Sequence, residues 1–318
     1  MKVVLLFPGF GSQFVGMGKE LYDEYRIIQE YFEEAANCLN VNFVKLCFAS
    51  SEAELAKMPN TYTATFLVSC SIAALLKEQG INPTIAVGCN FGEFAAIHTA
   101  GGISFPDGLY VLNKFATFYQ EALESMDVAA IQVYGMEFHT LEQLCNRVND
   151  AGEHANIALY TTPTEHTVSG TRAGIALLQQ KLAVYGIKSD DVSIEVGLHS
   201  QLAEPIAKQV RMYLEKVDFK DAVFPVLDTV TMKTIEQGVD IKESFVAHIQ
   251  NPIRWNESLD TLADYDVYIE VGPGSKLAAM VKEKYPDKLI VSINKKADLQ
   301  DLKNLLESSQ ESKDTHGI

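Results

Sequence analysis

The segment of residues 87–93 constrains the fold of this chain more than any other. A hydrophobic run at 84–87 predicts a buried strand, and the residues at 93–100 predict a helix. Gly88 and Gly92 stand between these two elements, separated by three residues. Because glycine has no Cβ atom, this spacing lets the backbones of strand and helix approach closely. The pattern predicts the sharp strand-to-helix turn that presents a serine hydroxyl in Gly-x-Ser-x-Gly enzymes.

The residue at the apex of this predicted turn is Asn90. A carboxamide does not lose a proton near neutral pH and forms no useful acyl ester, so covalent catalysis from this position is not expected. Asparagine tolerates unusual backbone angles, and Asn90 can occupy the turn for that reason alone. Alternatively, its amide polarises a bound carbonyl or thioester. The neighbouring Cys89 is either a displaced nucleophile or, more simply, a small buried apolar side chain.

The composition is that of a globular protein and excludes several classes of partner. Hydrophobic residues make up 47% and charged residues 21% of the 318 residues, and the formal net charge is −16. This acidic excess argues against a nucleic acid or an anionic membrane as partner. No apolar run reaches the roughly 20 residues of a membrane-spanning helix. The apolar run at 3–7 lacks a basic segment and a cleavage site, so it predicts a first strand and not a signal peptide.

The five cysteines predict a reduced, cytoplasmic protein. Their number is odd and they lie mostly in apolar segments, which suits free thiols better than a disulfide framework. No Cys-x-x-Cys spacing points to zinc, and the sequence predicts neither a metal site nor a bound cofactor.

Alternating strand and helix patterns predict the fold class. Strands are predicted at 3–7 and 84–87, with helices at 28–39, 63–77 and 105–126. Strands separated by helices in this way indicate an α/β protein with a doubly wound, mostly parallel sheet. Later segments assigned to the same body are helices at 201–216 and 276–284 and strands near 224–227, 267–271 and 289–293.

A different pattern begins near residue 127. The predicted elements that follow have the order β-α-β-β-α-β, the ferredoxin-like arrangement, with the last strand at 191–196. We therefore predict a ferredoxin-like subdomain at 127–196, inserted in a large α/β body formed by residues 1–126 and 197–307. The polar, aperiodic residues 308–318 are predicted to be a disordered tail.

Five short motifs occur in an order that is typical of one enzyme family. They are Phe7-Pro8-Gly9-Phe10-Gly11-Ser12-Gln13, the elbow from Gly88 to Glu93, His199-Ser200, Asn251-Pro252-Ile253-Arg254-Trp255 and Glu270-Val271-Gly272-Pro273-Gly274. In this order they resemble the motifs of malonyl-CoA:acyl carrier protein transacylases and polyketide-synthase acyltransferases. The match extends from residue 3 to about residue 295, with the predicted subdomain inserted where the family has one.

The resemblance implies a defined chemistry. In that family an acyl group passes from coenzyme A to the phosphopantetheine thiol of a carrier protein through an acyl-serine. A histidine acts as the base, backbone N–H groups stabilise the oxyanion, and an arginine binds the malonyl carboxylate. The implied partner is an acyl carrier protein or a synthase component, and the implied ligand is an acyl thioester.

Transferred residue by residue, the family motifs leave few polar groups in this chain. His199 is the retained base position, and Asn90 stands in place of the serine. The resemblance implies six substrate-binding positions: Phe10, Gly11, Cys89, Phe91, Phe115 and His248. Phe10 replaces the motif glutamine, Cys89 replaces the elbow histidine and Phe115 replaces the arginine. The backbone carbonyl of His248 is expected to orient the imidazole. A pocket asparagine of the family corresponds to Thr161. An apolar lining of this kind favours an acyl chain over a free carboxylate.

Three interpretations of the function follow. The preferred one is a pseudoenzyme of a fatty-acid or polyketide pathway, unable to form an acyl-serine, that acts by binding a carrier protein or synthase partner. The second is an acyl-thioester hydrolase in which His199 activates water while Asn90 and backbone amides bind the oxyanion; the alternative role for this histidine is that of a relic held by hydrogen bonds. The third is a weakly active malonyl or acyl transferase.

Overall fold

The computed structural model describes residues 1–193 and 198–315 of the chain. The chain divides into two compact units. The first comprises Met1–Ala100, Ser104–Tyr110 and the C-terminal part from Ala263, and the second comprises Gly101–Ile103 and Val111–Leu262. This division differs from the predicted one, because residues 111–126 and 198–262 group with the ferredoxin-like strands and not with the N-terminal α/β part.

The first unit contains a parallel sheet. Its strands are β1 (Val3–Phe7), β2 (Ile85–Gly88), β9 (Val267–Val271) and β10 (Leu289–Ile293). Within the described part of this unit they pair in the order β10-β9-β1-β2, all parallel. Every residue of β1, β2 and β9 is buried, which is why these strands read as continuous apolar runs. The predicted α/β class with a mostly parallel sheet is confirmed.

Helices of the first unit pack on this sheet or on one another. They are α1 (Lys19–Glu24), α2 (Arg26–Leu39), α3 (Phe43–Ala49), α4 (Glu52–Leu55), α5 (Met58–Glu78), α6 (Gly92–Thr99), α13 (Lys276–Lys284) and α14 (Lys296–Thr315). Helix α6 contacts β1 and β2, and α13 contacts β1, β9 and β10. Helix α5 is buried along most of its length, and Pro59 stands in its first turn, where the missing N–H costs no hydrogen bond.

The C-terminal segment differs from its prediction. Helix α14 continues to Thr315, so the disordered tail predicted from residue 308 is helical over most of its length. Leu299 and Leu302, three residues apart, are buried, and α14 packs on β10. This contact stabilises a helix that its largely polar sequence did not indicate. Residues 316–318 lie outside the described part of the chain.

The second unit contains the ferredoxin-like arrangement. Its elements are β3 (Val128–Tyr134), α8 (Phe138–Asn149), β4 (Ala155–Tyr160), β5 (Glu165–Thr171), α9 (Arg172–Val184) and β6 (Lys188–Val192). The strands pair in the antiparallel order β4-β5-β3-β6. A core that includes Ile131, Leu141 and Leu178 lies between this sheet and the two helices. The prediction of a ferredoxin-like subdomain is confirmed, but its last strand begins at Lys188; residues 194–196 of the predicted strand lie outside the described residues.

The rest of the second unit includes a segment, around Ile253, that pairs with strand β4. This remainder comprises the part of α7 (Phe105–Ser125) from Val111 onward, a 3-10 helix at Gln201–Ala203, α10 (Glu204–Leu214), β7 (Val226–Leu227), β8 (Thr234–Ile235), α11 (Gly238–Gln250) and α12 (Trp255–Thr261). The N–H of Tyr160 donates to the carbonyl of Ile253, and the N–H of Ile253 donates to the carbonyl of Ala158, each at 2.9 Å. These bonds extend the edge of the sheet and explain why residues 198–262 group with it.

No helix among the described residues is both long and apolar enough to cross a membrane.

Candidate active site

The strand-turn-helix elbow predicted at 87–93 is present in the first unit. Asn90 lies between β2 and α6, is 8% exposed and has a φ of 56°, in the left-handed region. The turn is closed by the N–H of Gly92, which donates to the carbonyl of Cys89 at 3.1 Å, and by the N–H of Glu93, which donates to the carbonyl of Asn90 at 3.2 Å. Asparagine is among the few residues that adopt this conformation at small cost.

The two glycines of the elbow are required by close backbone contacts. A Cβ atom on Gly88 would lie 2.0 Å from the nitrogen of Glu93, and one on Gly92 would lie 2.0 Å from the carbonyl oxygen of Phe7. Neither contact is relieved by a side-chain movement, because both partners are backbone atoms. The elbow therefore places the apex residue at the carboxyl end of β2, where ligands bind in open α/β sheets.

Three aromatic rings crowd the elbow within the first unit. The ring centroids of Tyr62 and Phe91 lie 3.8 Å apart, and Phe10 meets Tyr62 edge-on at 5.9 Å. These rings, with the buried Thr65 and Ser69, line a cavity of only about 10 Å³. A cavity of this size holds at most about one water molecule, so the rings of this aromatic cluster fill most of the space beside the turn.

Gly11 and Cys89 are the two other predicted site positions in the first unit. Gly11 is exposed with a φ of 89°, and its N–H donates to the side-chain carbonyl of Gln13 at 2.9 Å. Cys89 is half-buried, and desolvation raises the pKa of its thiol to about 12. Since the thiolate is the nucleophilic form of cysteine, the proposal of Cys89 as a displaced nucleophile loses support.

His199 belongs to the second unit and is held by the end of a helix. It is 5% exposed, and its φ of 41° is again in the left-handed region. Its Nδ1 lies 2.6 Å from the backbone carbonyl of His248, in the last turn of α11. A carbonyl only accepts, so Nδ1 carries the proton and Nε2 carries the lone pair of the neutral ring. This is the arrangement that the resemblance implies for His199 and His248.

An aspartate that sequence reasoning missed lies behind this contact. Nε2 of His248 lies 3.1 Å from Oδ1 of Asp228, and the two side chains are 9% and 3% exposed. Burial by itself raises the pKa of Asp228, but the hydrogen bond and charge of His248, with smaller contributions from Thr231 and Val230, bring it down to about 2. The available signal was an acidic residue directly after strand β7, at its carboxyl end.

Phe115 packs beside the segment that carries His199. It is 3% exposed and stacks on Tyr119 with centroids 5.5 Å apart. The hydroxyl of Tyr119 accepts from the N–H of Leu198. Thr161 lies at the end of β4, where its N–H donates to the carbonyl of Glu165 at 3.1 Å. Phe115 thus occupies a buried, aromatic environment.

His199 also borders an open cleft within the second unit. The cleft has a volume of about 870 Å³ and is lined by His199, Ser200, side chains of α8 and β4, and Gln201 and Gln250. Many of these side chains carry amides or hydroxyls, among them Asn146, Asn149, Asn156 and Tyr160. The residue at the base position therefore borders a polar cleft, although its own side chain is only 5% exposed.

An α/β sheet with a glycine elbow, a ferredoxin-like subdomain and a carbonyl-oriented histidine defines a protein of the acyl-transfer class. The model of the acyl transferase domain family matches residues 4–311. A malonyl CoA-acyl carrier protein transacylase of Bacillus subtilis is 33% identical over 286 residues, which cover 89% of this chain and 90% of the relative. The chain therefore belongs to the acyl transferase domain family.

Solved structures of malonyl transacylases have a similar fold. The malonyl CoA-acyl carrier protein transacylase of Clostridium perfringens is similar with a TM-score of 0.93 at 22% identity, covering 99% of this chain and 100% of that one. A malonyl-transacylase solved in complex with a type II polyketide synthase acyl-carrier protein has a TM-score of 0.89 at 25% identity, covering 94% and 98% of the two chains.

Proposed function

We propose that this protein is a non-acylating member of its family in a fatty-acid or polyketide pathway, which acts by binding an acyl carrier protein or a synthase partner. The observation that carries the proposal is Asn90, a carboxamide at the buried apex of an otherwise complete elbow. Its amide nitrogen is not a nucleophile at neutral pH, and a histidine base cannot activate it by removing a proton. No acyl-enzyme is therefore expected at this position.

The surroundings of the elbow support the same proposal. Cys89, the adjacent thiol, stays protonated because burial raises its pKa to about 12. The aromatic cluster of Phe10, Tyr62 and Phe91 leaves a cavity of about 10 Å³, which is too small for an acyl group of several heavy atoms. A transferase that passes acyl groups through this side of the elbow needs more space than these rings leave.

The position of Phe115 argues against a malonyl group as ligand. By resemblance this position holds the arginine that binds the carboxylate, and here it is a buried phenylalanine stacked on Tyr119. An ionised carboxylate that is removed from water without a paired cation costs several kcal/mol. Any acyl group that binds here is therefore expected to lack a free carboxylate.

A carrier protein is the partner with which a relative of this chain has been solved. Carrier proteins are usually acidic, so docking requires a basic patch on a chain whose net charge is −16. On α10, Lys208 pairs with Glu204 at 2.8 Å and Arg211 pairs with Glu243 at 3.0 Å. On α13, Lys276 and Lys282 are exposed. Lys282 donates to a backbone carbonyl, which is neutral, so its positive charge is not offset as the charges on α10 are. We therefore assign docking to α13.

Two measurements on the full chain test this function together. Intact-mass spectrometry after incubation with malonyl-CoA or acetyl-CoA should show the unmodified mass, and calorimetric titration with holo-acyl carrier protein should show binding that weakens with salt. Lys276→Glu with Lys282→Glu should reduce the affinity at least tenfold, whereas the matched control Lys208→Glu should not. A stable acylated protein would show instead that the chain is a transferase.

A second candidate is the hydrolase in which His199 activates water on an acyl thioester. The observation that favours it is the 2.6 Å contact between Nδ1 of His199 and the carbonyl of His248, which orients the imidazole as a base. The test is release of free acid from an acyl carrier thioester. If His199→Ala loses this activity and His154→Ala keeps it, the hydrolase replaces the first proposal. His154 is the matched control because it is exposed and borders the same cleft.

A further inference from the structure

The backbone carbonyl of His248, which contacts His199, has no helical N–H partner because a proline follows four residues later. In a continuing helix the carbonyl of His248 would accept from the N–H of the residue four positions later, which is Pro252 and has no N–H. The preceding carbonyl, that of Ala247, accepts from both the backbone N–H and the side-chain amide of Asn251, at 3.0 and 2.9 Å. The carbonyl of His248 is thus directed to Nδ1 of His199, at the negative end of the dipole of α11.

The side chain of His248 is anchored separately. Its Nε2 lies 3.1 Å from Oδ1 of Asp228 and 3.5 Å from the hydroxyl of Thr229. The other bonds of the Asp228 carboxylate come from its own loop: the N–H of Val230 donates to Oδ1 at 2.8 Å, and the hydroxyl of Thr231 donates to Oδ2 at 2.6 Å. A carboxylate held at three points is a rigid anchor for the imidazole that it meets.

A backbone bond joins the same loop to the segment that follows α11. The N–H of Arg254 donates to the carbonyl of Thr229 at 2.8 Å. The loop after β7 therefore holds the C-terminal end of α11 on both sides of Pro252, once through a side-chain pair and once through the backbone. These contacts hold residue 248, whose backbone carbonyl meets the ring of His199.

We infer that Asp228 and the side chain of His248 form a positioning pair, which fixes the carbonyl of residue 248 on Nδ1 of His199 and so sets the tautomer and direction of that imidazole. Asp228 acts through His248 and is a positioning residue. The inference bears on the second candidate function, in which His199 is the base. Its test measures a hydrogen bond and not turnover, so a chain without hydrolase activity can still show the positioning pair.

The test is nuclear magnetic resonance of the full chain with 15N-labelled histidines, at one neutral pH. The Nδ1–H signal of His199 is assigned by its loss in His199→Gln. We expect this signal in the wild type and in Asp127→Asn, a matched control that breaks the exposed 2.9 Å ion pair with Arg172 in the same unit. In Asp228→Asn the signal should broaden or disappear, because a neutral amide is a weaker acceptor for His248.

Two variants at position 248 separate positioning from general stability. His248→Gln keeps a side-chain N–H for Asp228 and should retain the His199 signal, whereas His248→Leu keeps the backbone carbonyl but not the donor and should lose it. The exposed Thr231→Val removes one bond to the same carboxylate and should weaken the signal without unfolding the protein. An unchanged His199 signal in the folded Asp228→Asn protein, or in both His248→Leu and Thr231→Val, would overturn the inference.

Discussion

The rings of Tyr62 and Phe91 lie with their centroids 3.8 Å apart beside the turn that carries Asn90. Phe91 directly follows the apex residue, and Tyr62 comes from the first part of α5, so this contact fixes the elbow against a helix that is distant in sequence. Aromatic pairs contribute about 0.5–1.5 kcal/mol beyond the area that they bury. The pair thus both stabilises the turn and lines the cavity of about 10 Å³ beside it.

The first prediction concerns this pair. Phe91→Ala should lower the free energy of unfolding by about 1–3 kcal/mol, less than for a fully buried ring because Phe91 is half-buried. Urea denaturation measures the change. Phe14→Ala is the control, since Phe14 is 40% exposed and its loss should change stability by less than about 0.5 kcal/mol. Equal effects of the two variants would contradict a role for the Tyr62–Phe91 contact.

The second prediction concerns the glycine elbow. Gly92→Ala places a Cβ atom 2.0 Å from the carbonyl oxygen of Phe7 and should cost more than about 4 kcal/mol or abolish folding. Gly11→Ala meets no atom within 4 Å and should cost only the strain of its φ of 89°, about 1–2 kcal/mol. Thermal unfolding measures the stability of both variants. If Gly92→Ala is as stable as Gly11→Ala, or more stable, the elbow does not approach β1 as closely as described.

The third prediction is a pH dependence. The pKa of Asp228 in the folded protein is about 2, against an ordinary value of 3.8. A carboxyl whose folded pKa is depressed stabilises the protein above its unfolded pKa and loses that contribution as the pH falls through the folded one. Denaturation experiments should therefore show Asp228→Asn less stable than the wild type by about 2 kcal/mol above pH 4, with the difference shrinking toward pH 2. A difference that is constant between pH 2 and pH 6 would mean that folding leaves the pKa of Asp228 unchanged.

The fourth prediction concerns restoration of a nucleophile. Asn90→Ser should not become labelled by malonyl-CoA, because Phe115, which by resemblance stands in place of the carboxylate-binding arginine, is a buried ring and offers no cation. Adding Phe115→Arg should raise malonyl labelling of that variant at least tenfold, as followed by intact-mass spectrometry. Efficient malonyl labelling of the single variant would show that Phe115 does not exclude the carboxylate.

The parts of the fold that could be predicted are those with a strong local pattern. The buried runs of β1 and β9 and the elbow glycines identified the parallel sheet, because strands covered on both faces are apolar throughout. Helices α1, α3 and α4 were not predicted, since they have only 4 to 7 residues each. Helix α11 was missed as well, because its apolar residues are interrupted by charged ones.

The candidate site was predictable only where a motif carried it. The motifs gave Asn90 and His199, but no local pattern predicted the left-handed φ of 41° at His199. Asp228 was missed because its partner His248 lies 20 residues away, and no local pattern joins an aspartate after a short strand to the last turn of a later helix. The aromatic cluster was missed in part for the same reason, since Tyr62 is distant in sequence from both phenylalanines.

The central claim, that the chain forms no acyl-enzyme, is tested most directly by peptide mapping after incubation of the wild type with acetyl-CoA and malonyl-CoA. The proposal predicts that the peptide containing residue 90 keeps its unmodified mass with both thioesters, while a malonyl CoA-acyl carrier protein transacylase such as the Bacillus subtilis relative is labelled on its elbow peptide in parallel. An acyl group on that peptide of this chain, at a level comparable with the relative, would contradict it.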